Sequence, residues 1–392
     1  MLHPPFQLPH GAVLPDFDCG GLFGLARDLG AWLRRPEFPL EIGGFGTEGS
    51  GPVILLVIDG LGDAFLQRHG QHSTISKHRA RRLTSVFPST TASAVTTLLT
   101  GLAPAQHGLT GWFIHDRRFG GVIAPLPLYR RGGGRLRSPA LTQRLFPYAG
   151  MIAGSALPVT MISPQDIAWS PFSRRHGRGA DLRAYARPDA FIPAVLDAAL
   201  QSGDRRRFIH AYYPRFDAIC HHYGAQSPNA VSEFSRIDRY FEQLLNGLAG
   251  RGATVILTAD HGFIDAADRR HLHLRTMPAL AALLDSPLFG ERRVAFCRAR
   301  RGAGPDFEAL ARDRLRGRAV VVPSARLIES GFFGPGPLNP RLAERCGTHT
   351  LLMEPGWTLS DRMPGERPHR MVGVHGGLSA DEMWVPLVLA QP

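Results

Sequence analysis

Lysine is almost missing from this chain: Lys77 stands alone, although Lys and Arg together number 45 among 392 residues. The formal charge of +12 is therefore carried by arginine. A selected nucleic-acid face gathers such charge into a stripe, whereas these arginines are scattered in short groups such as Arg130-Arg131 and Arg292-Arg293. The skew fits a codon bias, and a basic nucleic-acid-binding module is the weaker reading. Cysteine is scarce as well. Cys19, Cys220, Cys297 and Cys346 lie far apart with no CxxC spacing, which argues against a disulfide framework and a cysteine zinc site. No apolar run approaches the length of a membrane span, and the opening Met1-Leu2-His3-Pro4-Pro5-Phe6 has neither the basic start nor the apolar core of a secretory signal. A soluble cytoplasmic protein without membrane contact is expected.

Three short apolar runs predict buried strands of a mostly parallel sheet: Val53–Ile58, Phe208–Tyr213 and Thr254–Thr258. The first ends at Asp59-Gly60, the second leads to Asp217-Ala-Ile-Cys-His221-His222, and the third ends at Asp260-His261-Gly262. Open α/β sheets carry their ligand sites at the carboxyl ends of strands, so these acids and imidazoles are candidates for chemistry. Taken singly, each Asp is most simply a helix cap.

Residues 1–50 read as a peripheral wrap with one helix near Gly21–Leu33, and residues 51–392 as the catalytic domain. Arg293–Cys297 and Arg318–Val322 predict strands around a helix near Asp306–Leu315, a small βαβ-like unit placed as a cap inserted at about residues 266–345. The Gly/Arg/Pro-rich stretch 113–138 reads as a surface loop over the active face. His375 lies in a glycine-flanked turn, and Ser379-Ala-Asp-Glu382 reads as a capping box before a final apolar strand around Trp384–Leu389.

The stretch from Phe87 to Gly101 holds the best nucleophile candidates. Pro88 ends any strand, Ser89, Thr90 and Thr91 suit a helix N-terminus, and an Ala/Val/Leu run closes at Gly101. A hydroxyl there sits beside free N–H groups at the positive end of a helix dipole, a place suited to phosphate or to an alkoxide.

Asp and His without Cys suit Zn²⁺, or Mn²⁺, in a hydrolytic site. Gathered at one sheet edge with a hydroxyl, these residues make a coherent two-metal site. The order strand-Asp59-Gly60, Thr91 nine residues before Thr100-Gly101, Asp217-xxx-His221, Asp260-His261-Gly262 and His375-Gly376 resembles the alkaline phosphatase superfamily. Within it, the chain is most similar to the type I phosphodiesterase and nucleotide pyrophosphatase family, over roughly residues 52–392.

The resemblance implies an alkaline-phosphatase-like three-layer α/β sandwich, with a mostly parallel central sheet between helices and a small inserted cap. It implies two divalent metal ions, one held by Asp217, His221 and His375, the other by Asp59, Asp260, His261 and the Thr91 hydroxyl. Thr91 becomes the catalytic nucleophile, favoured over Thr90 by its spacing to Thr100, and the Asp-xxx-His register selects His221 over His222. His107 matches a recurring family position without being a ligand, and His271, His273 and His349 read as surface or core residues. The implied activity is metal-dependent hydrolysis of a small phosphate ester through a phosphothreonine intermediate, as in a phosphodiesterase or nucleotide pyrophosphatase. A phosphomonoesterase or phosphonate hydrolase of the same superfamily is the alternative. A sulfatase would need Cys or Ser where Thr91 stands, and a cofactor-independent phosphoglycerate mutase a larger insertion than the stretch between Gly101 and Phe208. The chain departs from the family at Trp112, where an Asn would hold a phosphate oxygen. The donor is expected instead from backbone N–H groups near Thr91 or from an arginine.

Overall fold

The computed structural model describes residues 2, 4–47, 49–201, 206–363, 365–366 and 370–392. Of the positions named above, Met1 and His3 lie outside them. A seven-stranded sheet organises the chain, in the order Arg79–Thr84, Trp384–Ala390, Thr254–Thr258, Val53–Ile58, Phe208–Tyr213, Val159–Pro164, Asp181–Tyr185. Every residue of Val53–Ile58 is buried, as a strand covered on both faces requires. Its neighbours Thr254–Thr258 and Phe208–Tyr213 run parallel to it, and only Trp384–Ala390 runs the other way. The sheet is thus mostly parallel and flanked by helices, as the sequence predicts. The helices Leu22–Arg34 and Thr91–Thr100 pack together, and Phe191–Leu200, Arg215–Tyr223 and Pro228–Leu248 form a second packed group.

A second sheet of four antiparallel strands joins Phe289–Gly290, Val294–Cys297, His349–Met353 and Ala319–Pro323. The expected strands and the helix, Gly304–Arg314, are present, and His349–Met353 lies between the two strands and antiparallel to both, so the two run parallel to one another across it as a split βαβ unit. Alternation explains how the sheet is covered. Ala295, Cys297, Val321 and Leu351 face the helix residues Phe307 and Ala311, whereas Val294, Phe296, Val322 and Leu352 face Phe332 and Phe333, against which Phe6, Leu8 and Val13 also pack.

Two local expectations change. The stretch 113–138 is not a plain loop but carries a three-stranded antiparallel sheet, Ile114–Asp116, Gly121–Ala124 and Tyr129–Arg130. The capping box at Ser379 is not formed. The Ser379 hydroxyl donates to Glu382 instead of accepting an N–H, and the fully buried Glu382 carboxylate pairs with Arg293 at 2.9 Å. That buried pair ties the small sheet to the segment following His375, and a buried carboxylate needs such a partner more than a helix end needs a cap. Arg79–Thr84 and Asp181–Tyr185 are edge strands whose arginines hid them from an apolar pattern. Among the described residues no helix is long and apolar enough to cross a membrane.

Candidate active site

Because Val53–Ile58 lies between two parallel neighbours, Asp59, Asp260 and the helix bearing Asp217 all leave the sheet at one edge. Trp384–Ala390 runs oppositely, so the segment before it brings His375 to the same edge. The His261 Nε2 atom lies 3.3 Å from Asp59 Oδ1, 3.4 Å from Asp260 Oδ2 and 4.0 Å from Asp217 Oδ1. One helical turn past Asp217, His221 places Nε2 3.3 Å from Asp217 Oδ1 and 3.3 Å from His375 Nε2. Every predicted ligand therefore meets the others. His222 instead points to solvent, and His107 is the buried last residue of the short helix Pro104–His107, with Nε2 3.2 Å from Thr97 Oγ1.

The three hydroxyls near the helix start separate cleanly. Ser89 donates to the Gly377 carbonyl at 2.7 Å, Thr90 donates to Glu291 Oε1 at 2.5 Å, and Thr91 Oγ1 lies 3.2 Å from His261 Nε2. None caps the helix Thr91–Thr100, although it ends at Gly101 as predicted, with that glycine in the left-handed conformation. Only Thr91 faces the cluster of acids. The backbone N–H groups of Thr91 and Ala92, in the helix's first turn, find no acceptor among the described residues.

Hydrogen bonding shows what the cluster is built for. The Nδ1 atoms of His221, His261 and His375 lie 2.9, 3.0 and 3.2 Å from the carbonyls of Gly373, Gly262 and Ser89. A carbonyl only accepts, so each Nδ1 carries the proton and each Nε2 turns a lone pair inward. The carboxylates do the same. Tyr212 donates to Asp59 Oδ2, and the Gly60 and His261 N–H groups donate to Asp260 Oδ1 at 3.0 Å each. Asp59 Oδ1, Asp260 Oδ2 and Asp217 Oδ1 are left buried without a hydrogen-bond partner. Converging lone pairs on buried N and O atoms fit a divalent cation and little else. Among the described residues two groups could hold one: Asp59, Asp260 and His261, and Asp217, His261 and His375.

Glycines allow this crowding. Gly60 adopts φ +78°, and a Cβ there would come within 2.5 Å of the Phe263 ring. At Gly262 a Cβ would lie 2.1 Å from the Asp381 carbonyl oxygen, so a side chain would displace the turn that carries Asp260 and His261.

Without a cation the acids resist ionisation. Burial pushes Asp59 up to about 6, against the hydrogen bond from Tyr212, and pushes Asp260 up to about 7, helped by the charge of Asp59. Asp217 is raised well above the usual carboxylate range, by burial and then by Asp59 and Asp260. Burial, with the neighbouring His261 and His221, holds His375 well below the ordinary imidazole value. Folded-state values raised above unfolded ones mean that native protein binds the extra protons. This contribution to stability is present in acid and lost as pH climbs from about 4, the unfolded carboxylate value, through 6 to 7. Metal-free protein should accordingly melt at a lower temperature than metal-free Asp260→Asn at pH 8, with the gap closing by pH 5; calorimetry on the two proteins checks it.

Nothing in the sequence pattern singles out Glu291, yet it stands beside the nucleophile candidate. Its Oε1 accepts from the Thr90 hydroxyl at 2.5 Å and from the Trp112 N–H at 2.7 Å. Burial pushes it up to about 7, against those two hydrogen bonds. It borders a cavity of about 890 Å³ whose wall also includes Thr91, Asp217, His221 and His375 together with the aromatic residues Trp112, Phe113, Tyr129 and Phe289. His271 and His273, expected to be surface or core residues, line this cavity too. Arg131 reaches it but is engaged by Asp361 at 2.7 Å and Glu366 at 2.9 Å.

The chain matches the type I phosphodiesterase / nucleotide pyrophosphatase family over residues 53–378. It belongs to that family. Its members are metal-dependent, and the chain is a phosphoric ester hydrolase of the phosphodiesterase/nucleotide pyrophosphatase kind. Among solved structures it is similar to murine ectonucleotide pyrophosphatase/phosphodiesterase 5, at 17% identity and TM-score 0.60 over 87% of this chain and 88% of that one. An inactive threonine-to-alanine variant of the murine protein in complex with AMP gives 17% identity and TM-score 0.61 over 86% and 87%. The human protein gives 17% identity and TM-score 0.63 over 87% and 88%. Likeness at this identity establishes the fold, and no curated protein matches the chain in sequence.

Proposed function

We propose that this family member cleaves small phosphodiesters, with Thr91 as the nucleophile and a phosphothreonine as the intermediate. The observation that carries the reading is the direction of the three hydroxyls, since Thr91 alone faces His261 and the acids. Asp59, Asp260 and His261, with Thr91, would hold one divalent cation, and Asp217, His221 and His375 the other. Zinc or manganese bound there would supply the charge that favours the alkoxide form of a hydroxyl and stabilises the departing oxygen.

The chain's own residues do the rest. The amides of Thr91 and Ala92, at the positive end of a ten-residue helix, receive a non-bridging phosphate oxygen and take the part of the absent Asn. Thr91 Oγ1 forms its bond to phosphorus as the first alcohol leaves, and water then breaks that bond, releasing a phosphomonoester and restoring the hydroxyl. The aromatic wall of Trp112, Phe113, Tyr129 and Phe289 gives a nucleotide base a surface to lie against, in keeping with the AMP complex of the murine neighbour. The free thiols Cys19, Cys220, Cys297 and Cys346 fit a reducing, cytoplasmic setting.

Zinc- or manganese-loaded protein should turn over bis(p-nitrophenyl) phosphate faster than p-nitrophenyl phosphate. Preference for the monoester would overturn the diester assignment, and no cleavage of either with any divalent metal would count against hydrolysis of simple esters.

A further inference from the structure

Glu291 places an acidic group in the wall of the cavity that Thr91, Asp217, His221 and His375 also line, beside the residues that would receive the phosphoryl group. Both hydrogen bonds to it, from Thr90 and from Trp112, fall on Oε1, so the carboxyl group's other oxygen is the one presented to a ligand in the cavity. Its place is fixed from behind as well. Gly376 adopts φ +109°, and a Cβ there would lie 2.7 Å from Glu291 Cβ, so the glycine after His375 makes room for this side chain. The Thr90 bond also ties Glu291 to the residue preceding the nucleophile.

We propose that Glu291 is the specificity-determining residue that selects phosphodiesters over phosphomonoesters, by opposing the second negative charge of a monoester. A diester carries one negative charge on its two non-bridging oxygens, and a monoester dianion carries two on three. A carboxylate facing those oxygens tolerates the first and repels the second, because like charges brought together in a partly desolvated site cost several-fold more than in water. The same repulsion acts on the product, since hydrolysis of a diester leaves a monoester dianion beside Glu291 and speeds its departure. The inference rests on Thr91-dependent hydrolysis at this site.

The test compares wild type, Glu291→Gln and Glu291→Asp, metal-loaded, at pH 8.5, above the value of about 7 to which burial raises the carboxyl. Glutamine keeps an acceptor for Thr90 and Trp112 and removes the charge; aspartate keeps the charge. The ratio of kcat/KM for bis(p-nitrophenyl) phosphate to that for p-nitrophenyl phosphate should fall by about tenfold or more in Glu291→Gln and stay within about threefold of wild type in Glu291→Asp. AMP, a monoester, should bind Thr91→Ala/Glu291→Gln about tenfold more tightly than Thr91→Ala by calorimetry. A ratio unchanged in Glu291→Gln, with both rates falling in parallel, would mark a structural role and overturn the proposal, as would unchanged AMP affinity. Failure of the underlying reading looks different, because hydrolysis would then survive in Thr91→Ala.

Discussion

Thr91→Ala should lower kcat for phosphodiester hydrolysis by about a thousandfold or more, with the bound zinc or manganese close to the wild-type amount. All six Asp and His ligands lie within 4.0 Å of another ligand's donor atom through His261 or Asp217, so the cluster does not depend on the hydroxyl for its shape. The adjacent Thr90→Val supplies the contrast. Its hydroxyl faces Glu291 rather than His261, so its loss should cost about tenfold or less. Steady-state rates with metal analysis on the same samples check both. Equal losses in the two variants would mean that the segment, not the Thr91 oxygen, matters.

Metal withdrawal should have an effect as large. Chelation should abolish turnover, and zinc or manganese should restore it, because three buried carboxylates and three inward imidazole lone pairs otherwise face one another. Binding to the native state alone stabilises by about 2.7 kcal/mol at a hundredfold excess over Kd, so the melting temperature should rise by several degrees on reloading. Asp260→Asn should weaken metal affinity by about a hundredfold or more, at least what loss of a supporting group costs at such sites. A chelated protein that keeps its rate and its melting temperature would remove the basis for a metal site.

The parts of this site that are legible in the sequence are those written in short-range pattern. Val53–Ile58 and Thr254–Thr258 are unbroken apolar runs, and a parallel sheet leaves one place for the acids that follow them, so Asp59, Asp260 and His261 could be brought together on paper. Asp217 and His221 are one helical turn apart and face the same way for that reason. Glu291 has no such signature. It stands at the turn between two strands of the small sheet, and its meaning comes from a contact with Thr90, two hundred and one residues away in sequence. Arg293 and Glu382 were hidden in the same way, since an apparent capping box turned out to be one half of a buried ion pair. Edge strands such as Arg79–Thr84 show no apolar run because their outer residues, here Arg79 to Arg82, are left partly or fully exposed.

The central claim is a covalent intermediate on Thr91, and the stereochemical course at phosphorus tests it most directly. Hydrolysis of a chiral phosphorothioate diester by the metal-loaded enzyme should give net retention, the result of two successive in-line displacements, first by Thr91 and then by water. Inversion would mean that water attacks the diester directly, and would contradict the account.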